Sequence, residues 1–317
     1  MARREGSPWT GVNVIARKVF ADHLTSLRLG VLEGLVFMAA VAAVYGASEV
    51  LRQTVAESPY VFLHLFTATR EPLPSLSEFL GFFVPLVAIG LGFDAVNAEL
   101  VRGTLSRVLA QPVYRDAFLA GKFLGTLAIL FLLLVTLWVL TVGLGIWFLG
   151  VPPDGEEMIR LGCFWLVTLL YAGVWLALAV LVSVLITQPA SAALVALGIW
   201  LFVWLFWPLV AQTLSEIPGF VPGSAALPID THAMRQGLER LAPTVLYAEA
   251  VQPLLVPEMR AIGRVFSSQL EGAVLGNPLP VAQSISMVGP RAAGLLATVL
   301  LLMSTSYVIF QRQEIRA

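Results

Sequence analysis

Apolar residues in this chain gather into six long runs separated by short polar stretches. The runs are Leu29 to Val50 (interrupted by Glu33), Leu76 to Phe93, Phe123 to Leu149, Leu161 to Thr187, Ala190 to Val210, and Ala292 to Phe310. A helix needs about 20 apolar residues to cross a bilayer core, so each run predicts a transmembrane helix. The third is about 40 Å long at about 1.5 Å per residue. That exceeds a hydrocarbon core of about 30 Å, so it should tilt or protrude. The pattern predicts an all-α integral membrane protein with six transmembrane helices in a single transmembrane domain.

Composition strengthens this reading. The chain is 58% hydrophobic and 12% charged, with a mean hydropathy of +0.86, whereas a soluble domain carries about 25% charged residues. The net charge of −1 gives no reason to expect nucleic acid as a partner. The start, with Arg3 and Arg4, lacks the compact apolar core and cleavage site of a signal peptide, and is expected to be retained and cytoplasmic. With the N-terminus inside, eleven of the 19 Lys and Arg fall on the inner side, among them Arg17, Lys18, Arg28, Arg102, Arg115, Lys122 and Arg312. The loop "VPPDGEE" has no base and three acids, as suits an outer loop. The positive-inside rule then places both termini in the cytoplasm of a plasma-membrane protein. Trp147, Trp165 and Trp207 fall near predicted outer ends, where indoles favour the interface.

Two flanking regions complete the layout. Residues 1–28, with Val14, Val19 and Leu27 set among charges, read as an amphipathic interfacial helix on the inner surface; a plain surface helix fits equally. Residues 211–290 are rich in Pro and Gly. Within them Met234, Leu238 and Leu241 have helical spacing, and Arg235 and Glu239 form an i,i+4 pair. Short helices lying on the membrane or dipping into it are expected.

The densest polar insert runs from Phe93 to Lys122. From Asn97 it has helical periodicity, with Val101, Leu105 and Val108 on one face and Glu99, Arg102, Gly103 and Ser106 on the other. Pro112 ends the pattern. A solvated loop is one reading. The other is a docking element, because a short helix held on two stiff helices can transmit a push.

This insert resembles the first inner loop of the ABC type-2 (ABC-2) exporter permeases. Their pattern F-D-x-(I/V)-x-x-E-x-x-x-G-T-L, then Pro, Arg and Gly-Lys, is matched by Phe93, Asp94, Val96, Glu99, Gly103, Thr104, Leu105, Pro112, Arg115, Gly121 and Lys122. The stretch "LAPTVLYAEAVQPLLVPEMRAIG" and the ending "NPLPVAQSISMVGP…YVIFQRQEIRA" are also similar to that family. The resemblance implies an exporter. Two six-span permease subunits, a second copy of this chain or a paralogue, would pair around a central path. Two cytoplasmic ABC ATPase subunits would bind below and hold ATP-Mg. The cytoplasmic coupling helix would dock on the ATPase through Glu99, Arg102, Gly103, Thr104, Arg107, Pro112 and Arg115. The long outer segment leaves room for an extracytoplasmic partner.

The chain offers no nucleotide site or catalytic site of its own. "AGKFL" lacks the first Gly and the hydroxyl of a phosphate loop, and "GLGFDA" lies inside a span with no preceding strand. His23, His64 and His232 lack metal-ligand spacing. Seven Met without a Met-rich cluster argue against copper binding. No cofactor or metal is expected, so this should be a transport subunit and not an enzyme. Glu33 lies inside span one, where a charge costs about 2.5–3.5 kcal/mol at the centre. It either snorkels towards Arg28 or lines the dimer seam or path. Gly30 and Gly34 beside it permit close helix contact. Trp200, Trp204 and Trp207 make one stripe of span five, either lipid-facing or the apolar wall of a path for hydrophobic or amphipathic cargo. An ATP-independent carrier or channel, or a membrane anchor for an outer protein, are the rival readings.

Overall fold

The computed structural model describes residues 8–54, 60–104, 115–217, 231–258 and 278–313. In chain order the helices are α1 (Pro8–Leu24), α2 (Leu27–Thr54), α3 (Val61–Thr67), α4 (Leu76–Gly92), α5 (Asn97–Val101), α6 (Arg115–Leu149), α7 (Gly155–Leu185) and α8 (Pro189–Leu201). A π-helical turn (Phe202–Phe206) follows, then α9 (Trp207–Glu216), α10 (Thr231–Glu239), α11 (Pro243–Leu255) and α12 (Val281–Arg312). Six are long and apolar enough to cross a membrane: α2, α4, α6, α7, the α8–α9 rod and α12. All six apolar runs therefore became helices, and the chain is an all-α, multi-pass membrane protein.

α7 forms the centre of the bundle. Its apolar window is 78% buried, against 11% for α8–α9 and 17% for α12. The reason is its neighbours: α4, α6, α8, α11 and α12 all pack on it. Glu157, three residues into α7, starts two helices at once. One carboxylate oxygen accepts from the Asp154 N–H at 2.9 Å, and the other accepts from the Phe62 N–H at the start of α3 at 2.9 Å.

Span five is interrupted. Pro208 has no N–H, and its ring would meet the Trp204 carbonyl in a regular helix. The chain widens into the π-turn just before it, the usual way a helix absorbs such a clash.

α1 is packed and does not lie free. It lies against α6, burying Val12 and Val19 while Val14 and Leu27 stay exposed. Of the three apolar positions expected to anchor this segment, Val19 alone is buried. The close approach is possible because α6 has Gly121 and Gly125 at the crossing. A Cβ at Gly121 would sit 2.7 Å from Ile15 Cβ, and one at Gly125 would sit 2.7 Å from the Ala16 carbonyl oxygen.

α10 and α11 form a hairpin inserted between spans. Trp207, at the deep end of α9, donates to the Leu238 carbonyl at the end of α10 (3.0 Å). α11 then returns beside α7 and α12. Tyr247 stacks on Tyr171 with centroids 4.3 Å apart and shares a hydrogen bond with Thr168 (3.1 Å). The expected Arg235–Glu239 pair forms at 2.8 Å. The outer segment thus contributes core: Leu254 and Leu255 are fully buried.

Candidate functional site

The site is the elbow between α4 and α6. Its local structure is a short helix clamped from three sides. At its start, the Ser183 hydroxyl near the end of α7 accepts the N–H groups of Val96 (3.0 Å) and Asn97 (3.2 Å). These donors have no carbonyl one turn back, so a side-chain oxygen satisfies them. The buried Asn97 amide donates to the Ile186 carbonyl at 3.0 Å. Glu99 then forms an ion pair with Lys122 on α6, with side-chain exposures of 15% and 16%. On the third side, Arg28 of α2 grips Asp94 with two hydrogen bonds of 3.0 and 2.9 Å and lies over the Phe93 ring at 4.8 Å.

The helix ends sooner than its periodicity predicts. α5 stops at Val101, and Gly103 turns the chain with φ +65°. The left-handed region is open to glycine at no steric cost. Thr104 closes the turn, its N–H donating to the Glu99 carbonyl at 3.0 Å and its hydroxyl to the same oxygen at 3.3 Å. Leu105, Ser106, Arg107, Val108 and Pro112 lie outside the described residues.

Glu99 and Val101 point to different sides. Glu99 points inward to Lys122. Val101 is 66% exposed, next to exposed Leu100 and Arg102. A five-residue helix has barely one turn, so long-range periodicity does not set its orientation; the ion pair and the Ser183 cap do.

Arg115 is engaged elsewhere. Its Nη1 donates to the carbonyls of Gln311 and Gln313 (both 3.4 Å), at the end of α12, where unpaired carbonyls and the helix dipole favour a cation. Phe118 stacks on Phe310 nearby, 5.9 Å between centroids. His23 on α1 faces Thr126 at 3.4 Å. Burial pushes its imidazole below its ordinary value, with Arg28 and Lys122 adding to the shift while Asp94 and Asp22 oppose it. The N-terminal helix, the elbow and the C-terminal end of α12 thus occupy one end of the bundle.

The remaining predicted residues are dispersed. Glu33 does not reach Arg28, whose guanidinium is held by Asp94. Its oxygen lies 3.5 Å from the Thr136 hydroxyl of α6, half-buried at mid-bundle. Gly30 and Gly34 have nothing within 4 Å to pack against in this chain. The tryptophan stripe is split by the π-turn: Trp200 is buried, Trp204 is partly exposed and packs on Phe82, and Trp207 holds the hairpin. Trp165 lies well inside α7 against Phe131, so of the three interface tryptophans Trp147 is the strongly exposed one.

Sequence reasoning missed Ser183, Asn97 and Lys122 as the clamp, because their partners are distant in sequence. It also missed Arg160. That fully buried side chain donates to Glu156, Ser284 and the carbonyls of Pro253 and Leu279. It ties α7 to α11 and α12 at the end opposite the elbow. Two voids among the described residues, of about 10 and 20 Å³, are water-sized. Among the described residues no group of His, Cys, Asp and Glu is placed to hold a metal ion.

Over residues 13–315 the chain matches the family described as ABC-2 family transporter protein. It is 37% identical over 150 residues to the probable ABC transporter permease protein NosY of Pseudomonas aeruginosa, covering 45% of this chain and 52% of that protein. It is 34% identical over 148 residues to the protein of the same name from Stutzerimonas stutzeri, covering 44% and 51%. The match spans about half the length of these curated relatives.

Proposed function

This chain belongs to the ABC-2 family of transporter proteins, and on that footing we propose that it is the permease subunit of an ABC exporter, driven by a separate cytoplasmic ATPase. The observation that carries the proposal is the elbow itself. Its tip, Leu100 to Arg102, presents two apolar side chains and one cation to solvent, while the residues behind it are clamped to α2, α6 and α7. An apolar tip with an adjacent arginine suits a groove on a protein partner. A clamped tip passes displacement on to the helices that hold it.

In this reading the partner ATPase binds ATP-Mg and closes on nucleotide, and the elbow receives that motion on the cytoplasmic side. The clustering of Lys and Arg at this end supports that orientation. Glu99 and Lys122 carry the load into α6, and Ser183 carries it into α7. Arg102 contacts the partner directly; Gly103 and Thr104 shape the turn. Arg115 acts within the chain, through α12.

The cargo path lies between two permease copies; two voids among the described residues, of about 10 and 20 Å³, are water-sized. The face of α8, the π-turn and α9 is the place for the second copy: Phe202, Trp204, Phe206 and Leu209 are exposed there. Trp204 and Glu33 remain the candidates for contact with an amphipathic cargo, whereas Trp200 is buried behind Trp204 and Trp207 is committed to the hairpin.

Copurification from membranes tests the reading. The wild-type chain should bring down an ABC ATPase, and Val101→Asp with Arg102→Glu should release it without lowering the yield of folded permease. Full retention of the ATPase by that double variant would move the docking surface elsewhere.

A further inference from the structure

We propose that α12 acts as a strut joining the elbow to the α10–α11 hairpin at the opposite end of the bundle, fastened by Arg115 at one end and by Glu249 at the other. The inference rests on the elbow being the site where work enters.

The lower fastening is the one already described. Arg115 begins α6 and binds the last carbonyls of α12, and Phe118 stacks on Phe310. Gln313, just past the helix, donates to the Val184 carbonyl at 2.8 Å. Lys122, two turns along α6 from Arg115, holds the elbow through Glu99. A displacement of the elbow therefore meets α12 through α6 within two residue contacts.

The upper fastening is a shared carboxylate. Glu249 on α11 is 95% covered, with 5% of its side chain exposed. It accepts from Arg240 in the hairpin turn at 3.1 and 3.0 Å and from Arg291 of α12 at 3.3 Å. The buried carboxylate bridges the half-exposed Arg240 and the largely covered Arg291, so it links the hairpin turn to α12 through two charged contacts. Leu246 adds an apolar seat: a Cβ at Gly294 would lie 3.2 Å from its Cδ1.

The fastening sits beside a weak point of the rod. Pro290 lies inside α12 after Gly289, where it removes a backbone donor and favours a bend. Arg291 follows immediately, and its Nη1 donates to the Met287 carbonyl one turn back at 2.8 Å, in a helix that runs continuously from Val281 to Arg312. From Arg291 to Arg312 the helix is unbroken, about 33 Å at about 1.5 Å per residue. The hairpin is thus attached to α12 about two turns below Ser284, which Arg160 holds. Motion at the elbow reaches the hairpin through Glu249, against the hold that Arg160 keeps on the end of α11 through the Pro253 carbonyl.

The test uses the full transporter, permease with its ATPase, in lipid nanodiscs, in a Cys163→Ala background with one permease copy labelled. Spin labels at Leu209→Cys and Leu241→Cys report the hairpin, and labels at Leu24→Cys and Leu185→Cys report the elbow end. In the otherwise wild-type chain a non-hydrolysable ATP analogue should shift both distances. In Glu249→Gln the elbow pair should still shift and the hairpin pair should not. Arg115→Gln, which strands no buried carboxylate, should do the same, and Arg115→Lys should restore part of the hairpin shift. A hairpin shift that persists in both Gln variants overturns the strut and leaves elbow docking intact. An elbow pair that ignores the analogue in the wild type overturns the docking reading and the strut with it.

Discussion

Glu99 and Lys122 form an ion pair that closes the elbow onto α6, with 85% of one side chain and 84% of the other covered, from exposures of 15% and 16%. Breaking such a pair from one side leaves a poorly solvated charge, at a cost of about 3 kcal/mol. Glu99→Gln and Lys122→Met should each lower the thermal midpoint and, on the coupling role proposed above, reduce ATP-driven transport at least about tenfold. The exchanged pair, Glu99→Lys with Lys122→Glu, should recover most of the stability. Transport by Glu99→Gln at the wild-type rate would remove the pair from the coupling route.

Gly125→Ala should loosen the α1–α6 crossing. The added methyl meets the Ala16 carbonyl oxygen at 2.7 Å, and backbone cannot yield as a side-chain tip can. Overpacking of this kind costs about 1–3 kcal/mol. Limited proteolysis should then cut within α1 faster than in the wild type. Gly30→Ala meets nothing within 4 Å and should leave the isolated chain as stable or slightly more so, by up to about 1 kcal/mol of helix propensity.

Arg160→Leu should cost about 1–3 kcal/mol for each buried acceptor left without a partner. It removes the donor to the Pro253 and Leu279 carbonyls, while Glu156, a third exposed, keeps the Tyr60 hydroxyl. Arg160→Lys should rescue little, because one ammonium cannot span acceptors on three elements as the planar guanidinium does. Thermal unfolding in detergent would decide it; a Lys variant as stable as wild type would show that charge alone suffices.

Acid should weaken the α1–α6 junction through His23. Its pKa lies below the ordinary imidazole value of about 6.5 in the folded chain, chiefly through burial. The unfolded chain therefore binds the proton first, and stability rises with pH in that window. The contribution is complete above about pH 6.5 and is lost as pH falls through the lower, folded value. Thermal midpoints at pH 7.5 and 5.5 should differ more for the wild type than for His23→Gln. An equal pH response in both chains would assign the effect to other groups.

Much of this molecule was legible in its sequence because a bilayer imposes a simple rule. A run of apolar residues of sufficient length becomes a helix, since no other local structure satisfies its backbone in lipid. All six spans, the helix around Met234 and Leu238, and the Arg235–Glu239 pair follow from spacing within one helix. The importance of the insert around Glu99 was also visible, carried by Phe93, Asp94, Glu99, Gly103, Gly121 and Lys122 as a resemblance.

Tertiary structure decided which way those residues point. Glu99 turned inward because Lys122 offers a counter-charge, and Val101 turned outward because α5 is too short for its own periodicity to orient it. Gly121 matters for the backbone of α1, Arg115 for the carbonyls of α12, and Arg160 and Glu249 for elements far along the chain. Local sequence dictates a helix through bonds spanning four residues; a buried charge selects its partner on another element, 23 residues away for Glu99 and Lys122 and 42 for Glu249 and Arg291, and only the folded chain brings that partner within reach.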